Sequence, residues 1–224
     1  MKKTAVNYKD FRLSKINNPE FSHLKLLLGW VGYFALYVIT ERFIPAKNCY
    51  VVHSPLDDLI PFCEVFVVPY VLWYAYVAGS VFYFVRYSTE SFKKLMMFII
   101  FTQIIAMTAY IVFPNRQDLR PEFFERNNIF TYIVNILYTV DTNTNVCPSL
   151  HVGYSLAVGS AWLKEKDAPR LWKLASTVFA LMVCASTAFI KQHSVVDIFW
   201  AFVMCFVGEI IIYRKYWINK IKNL

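Results

Sequence analysis

Charge is scarce in this chain. Only 17% of its 224 residues are Asp, Glu, Lys or Arg, against about a quarter in an average soluble domain. Hydrophobic residues make up 58%, and the mean hydropathy is +0.42. The two figures together exclude an ordinary soluble domain, and also disorder, which needs low hydrophobicity. Six glycines and nine prolines are too few for a collagen-like or low-complexity chain. CxxC pairs, metal-ligand spacings, GxxxxGK(S/T) and HExxH are all missing, so neither a metal nor another cofactor is expected. No repeat, linker or lipidation motif breaks the chain. The start, MKKTAVNYKDFRLSK, has basic residues but no short apolar stretch and small-residue cleavage site after them, so no signal peptide is expected.

What is abundant is uncharged apolar sequence, arranged in runs. A membrane helix needs roughly 20 apolar residues. The runs predict an all-α integral membrane protein with six transmembrane helices, near 23–43, 62–85, 95–113, 149–163, 171–190 and 194–213. The stretch 127–140 differs. Thr131, Asn135 and Thr139 form a polar stripe opposite Ile129, Ile133, Ile136 and Val140. That pattern predicts a short interfacial helix in the loop between spans three and four. The six Trp and 15 Tyr, several near span ends, suit an aromatic belt.

The net charge of +8 resolves by side. Seventeen of the 23 cations fall in the two tails and the second and fourth loops. Arg42, Lys47, Arg116, Arg120, Arg126 and Lys191 fall on the other side. The positive-inside rule then places both termini in the cytoplasm of a multi-pass cell-membrane protein. The basic excess is explained by topology and anionic lipid, so no nucleic-acid partner is expected.

Five cysteines are present. Cys63, Cys184 and Cys205 read as small apolar packing residues, and a disulfide between Cys49 and Cys147 is the less favoured option. Asp57, Asp58 and Glu64 read as helix-capping residues rather than pocket groups. Glu209, near the inner end of the last span, is expected to pair with a cation.

Of four histidines, His23 and His53 read as polar residues at span ends. His151 and His193 each sit at the outer end of a span, where both can face one pocket. Asp197 follows His193 by four residues, on the same face of a helix start. It can accept a hydrogen bond from one ring nitrogen and make the other a better nucleophile or base. His151 lies in Cys147-Pro148-Ser149-Leu150-His151, a helix start whose free N–H groups and Ser149 hydroxyl suit a phosphate. Arg116 and Arg120, in a proline-pinned loop, and Lys191 add cations on that side.

Three segments in order, Arg120-Pro121, Pro148-Ser149-Leu150-His151 and Ser186 followed after seven residues by His193-x-x-x-Asp197, resemble the three signature motifs of the type 2 phosphatidic acid phosphatase superfamily. The resemblance covers about residues 60–213. It implies a six-span catalytic domain over 23–213, flanked by basic tails 1–22 and 214–224, with the site on the non-cytoplasmic face. The chain departs from the family pattern at Phe113 and Thr187, where the family has Lys and Arg, and at Leu150, where it usually has Gly. Arg116 and Lys191 are the expected substitutes. The Pro-Ser-Leu-His form and the missing cations are also similar to inositol phosphorylceramide synthases, a transferase branch.

The resemblance implies a lipid phosphatase. His193 attacks phosphorus, Asp197 orients it, His151 protonates the leaving oxygen, and Arg120, Ser149, Lys191 and Arg116 hold the phosphate oxygens. The partners expected are a lipid phosphate and the bilayer. The alternative is a lipid phosphotransferase that passes the phospho-group to a lipid hydroxyl. The remaining option is a non-enzymatic membrane protein, a transporter or assembly factor, which the absence of repeats disfavours.

Overall fold

The computed structural model describes residues 6–222. Lys2 and Lys3 of the basic tail lie outside the described residues. Among the described residues the regular structure is helical apart from one two-stranded pairing. Its principal helices are α1 (Leu28–Phe43), α2 (Pro55–Leu59), α3 (Val67–Tyr87), α4 (Thr89–Val112), α5 (Ile129–Val140), α6 (Leu150–Lys164), α7 (Arg170–Phe189), α8 (Val195–Ile212) and α9 (Arg214–Lys222).

Among the described residues, five helices are long and apolar enough to cross a membrane: Ser22–Phe43, Glu64–Tyr87, Thr89–Val112, Arg170–Phe189 and Val195–Ile212. Two of them begin with a 3-10 stretch, Ser22–Leu27 and Glu64–Phe66. Each coincides with an expected span. The run expected to be the fourth span forms α6, with only 15 residues. At 1.5 Å per residue this is about 22 Å, short of the roughly 30 Å hydrocarbon core. α6 instead occupies the middle of the bundle, against α3, α4, α7 and α8. Gly153, Ala157 and Ala161 recur every four residues along it and are buried. Small residues at that spacing let helices approach closely. A Cβ on Gly153 would lie 3.1 Å from the Met204 side chain of α8.

Helix starts follow local chemistry. Ser54, Asn128 and Ser194 each form a capping box with the residue three positions on, and Ser149 caps α6. Each such cap contributes about 1 kcal/mol. Asp57 adds a cap across the chain. Buried, it accepts from the Ser194 hydroxyl at 2.6 Å and the Val195 N–H at 2.8 Å. The capping expectation for Asp57 therefore holds, and the cap reaches the helix that carries Asp197.

α5 forms where the sequence predicts a helix, and of its polar stripe Thr131 alone points inward, with Asn135 and Thr139 exposed. Thr131 is buried, while Ile129, Ile136 and Val140 are exposed. Asn128 explains this: it caps α5 and bonds the buried Glu64 at 3.0 Å, which holds the Thr131 side inward. Val134 packs with Val67, Tyr70 and Ile190 in a second apolar cluster.

The loops at the histidine end are tied together. Strands β1 (Tyr50–Val51) and β2 (Asn115–Arg116) pair in parallel, and Arg116 bridges to Thr144. The buried Asn115 accepts from the Val146 and Cys147 N–H groups and donates to Phe113 and Cys147 carbonyls. This fixes the chain entering α6. At the opposite end Glu209 pairs with Lys164, as expected, and accepts from the Trp217 indole. All five cysteines are free thiols, Cys49 and Cys147 included.

Candidate active site

The turn between α7 and α8 presents His193. Two N–H groups, of Gln192 and His193, converge on the Thr187 carbonyl at 2.9 and 3.0 Å. Lys191 takes a left-handed conformation, φ 54°, to make the turn. His193 is buried, and its Nδ1 lies 3.2 Å from the Oδ2 of Asp197. The same oxygen accepts from the Ser194 N–H at 2.9 Å, so the cap and the histidine share one carboxylate. Asp197 is fully buried and its Oδ1 has no partner. Burial, reinforced by the nearby Asp197 carboxylate, pushes the Cys147 thiol up to about 12.

His151, on the first turn of α6, comes from the other side. The two imidazoles are 5.8 Å apart, centre to centre. Tyr70 stacks on His151 at 4.4 Å, and Trp73 lies against it at 4.4 Å. The Tyr70 hydroxyl donates to Asp141 at 3.2 Å and lies 3.4 Å from His151 Nδ1. His151 Nε2 is buried and unpartnered. Both histidines, Asp141 and Gln192 line one cavity of about 800 Å³.

The expected phosphate ligands are placed differently, and every one of them is engaged with protein. Ser149 is fully buried; its hydroxyl oxygen accepts from the Val152 N–H, so it is a cap. Arg116 donates to the Ala46 carbonyl at 3.1 Å and pairs with Asp118 at 3.0 Å, tying loops together. Lys191 donates to the carbonyls of Asp57 and Ile60 at 2.7 and 2.6 Å, which locks the α7–α8 turn onto α2. Arg120 donates to the carbonyls of Tyr138, Asp141 and Thr142 and to Gln192 Oε1 at 2.6 Å, with its guanidinium over the Tyr138 ring. The physical reason is common to all three cations. Loop carbonyls left over by short turns need donors, and a long cationic side chain is the nearest supply.

Three contributors were not legible as site residues: Tyr70, Asp141 and Gln192. Gln192 is the neighbour of His193; Arg120 holds its oxygen, and its amide nitrogen is buried and unpartnered. Asp141 is the C-cap of α5. Burial raises its carboxyl above the usual carboxylate range, opposed by the nearby His193 and Arg120. Burial also lowers the Arg120 guanidinium from its ordinary value, opposed first by Asp141. The site thus offers an imidazole with a carboxylate behind it, a second imidazole facing it, an amide donor and one arginine at the rim. Such a set can attack an electrophilic centre and protonate what leaves.

Compared with known proteins, the chain matches no protein-family model, no curated protein and no solved structure.

Proposed function

We propose that this protein is a membrane lipid phosphatase of the type 2 phosphatidic acid phosphatase kind. The observation that carries the reading is the His193–Asp197 pair, buried at 3.2 Å, with His151 facing it across the mouth of an apolar cavity. Asp197 holds the proton of Nδ1, which leaves Nε2 of His193 as the nucleophile. Nε2 forms a bond to phosphorus while the bond from phosphorus to the lipid oxygen breaks. His151 gives its proton to that oxygen, and the lipid alcohol leaves. Water then attacks the phosphohistidine, His151 takes a proton from the water, and the P–N bond breaks to release phosphate. The Gln192 amide and the Arg120 charge supply the electrostatic stabilisation. Arg116, Lys191 and Ser149 act one step back, by holding the turns that carry the histidines.

In this reading α6 is a sixth, buried span, α5 lies at the interface with its apolar face toward lipid, both termini are cytoplasmic, and the site opens on the other face. The test is phosphate release from a panel of lipid phosphates and diphosphates by wild type and His193→Ala. Release by the variant near the wild-type rate would remove the nucleophile from the account.

One observation favours the phosphotransferase alternative. Asp141 lines the cavity and Asp197 lies buried behind His193, against one arginine that is already bonded to protein. A dianionic phosphate monoester fits that balance less well than a monoanionic phosphodiester. Adding lipid alcohols and diester donors in parallel separates the two. Product that forms only with an acceptor, and no free phosphate, would replace the phosphatase reading.

A further inference from the structure

The cavity does not end beneath the histidines. It follows one face of α3 at Trp73, Val77, Val81 and Val85, spaced every four residues. Twelve residues at 1.5 Å each make about 18 Å. The opposite wall is α1, of whose residues only Thr40 is buried. Phe34 of α1 is 61% exposed and Phe82 of α3 is 70% exposed, so the slot opens sideways between the two helices.

The stretch before α1 meets the far end of the slot. Leu24 and Leu27, in the stretch Ser22–Leu27, line it there beside Val85. This stretch is stitched to the bundle. The Tyr8 hydroxyl donates to the Val85 carbonyl at 3.0 Å and bonds His23 Nε2 at 2.8 Å. Phe21 and His23 are both buried, and His23 meets the Phe92 ring at 5.5 Å. A buried histidine and tyrosine that satisfy each other fix the position of the floor.

We propose that residues 8–27 form the floor of a channel for one hydrocarbon tail, and that Leu24 sets the longest tail accepted at His193. The occupant is the tail of a phosphate-bearing lipid. Three features point to it: an apolar slot about 18 Å long, open to the bilayer along its side, and continuous with the polar mouth at His151, His193 and Gln192. The proposal rests on the lipid-phosphate reading of that mouth.

The test uses the full chain in detergent and a series of single-tail alkyl phosphates that lengthens in two-carbon steps. For wild type, kcat/KM should rise with length and then fall. Each methylene without room forfeits about fourfold, the equivalent of about 0.8 kcal/mol. Leu24→Trp should move the maximum to shorter tails, with its circular dichroism and melting temperature reporting that it folds. Leu24→Ala and Tyr8→Phe should extend it to longer tails. Brominated tails of the same series should quench the Trp30 and Trp73 fluorescence with the same length limit, with or without turnover. Quenching whose length limit shifts in Leu24→Ala, with no phosphate released from any lipid, would keep the channel and overturn the chemistry. Phosphate release whose length dependence is unchanged in all three variants would overturn the floor. No quenching by any tail would overturn the channel.

Discussion

The two imidazoles at the cavity mouth are supported in opposite ways. His193 has a carboxylate directly behind it, and that carboxylate is also the cap of its helix. His151 has no carboxylate in contact. It lies between two aromatic rings, Tyr70 and Trp73, and reaches Asp141 only through the Tyr70 hydroxyl. A direct carboxylate fixes the tautomer and stabilises positive charge on the ring, which suits a nucleophile that becomes charged. An aromatic sandwich fixes the plane of the ring and leaves Nε2 free, which suits a group that gives and takes a proton.

The comparison breaks if the histidines prove equivalent. His193→Ala should lower single-turnover phosphate release by about 10⁴-fold or more, since no other group can take its place. His151→Ala should lower it by about 10² to 10⁴-fold on a lipid phosphate. With a substrate whose leaving group is a nitrophenol, which needs no proton to depart, most of that loss should vanish. An equal loss on both substrates would deny His151 the acid role.

The relay behind His151 comes next. Tyr70→Phe and Asp141→Asn should each lower kcat by about tenfold with little change in KM. Asp141→Asn should also move the pH–rate profile to lower pH, because an imidazolium facing it loses a negative neighbour. An unmoved profile would make the Tyr70–Asp141 contact structural only. Asp141 has a thermodynamic signature as well. Its folded value is raised by burial, so the native state holds the proton more tightly than the unfolded chain. That contribution is full below the ordinary carboxylate value and is lost as pH rises through the folded one. The melting temperature of Asp141→Asn relative to wild type should therefore rise between pH 4 and pH 7.

The smallest catalytic effect belongs to the cations. Lys191→Met and Arg116→Met should cost about 1–3 kcal/mol of stability by leaving carbonyls unpaired. Neither should change KM for phosphate-bearing lipid by more than about twofold. A tenfold rise in KM would return them to the phosphate.

Much of this was readable in advance. The helices follow from apolar runs and caps, and the His193–Asp197 contact follows from a spacing of four on one helix face. The role of α6 was not readable, because burial among helices and burial in lipid call for the same residues. In α5 only the inward place of Thr131 was not readable, because it depends on the contact of Asn128 with the distant Glu64. Tyr70, Asp141 and Gln192 come from three distant elements, so no local pattern joins them. Arginine and lysine in a loop do not reveal whether loop carbonyls will take them.

The central claim is that Nε2 of His193 carries the phosphoryl group. The direct measurement is an alkaline rapid quench during turnover of a phosphorus-labelled lipid phosphate, followed by mass spectrometry of the peptide holding His193. A phosphohistidine at residue 193 in wild type, accumulating in His151→Ala and missing in His193→Ala, is the predicted result. Label on another residue, or phosphate released by wild type with no label on His193 at any time point, would contradict it.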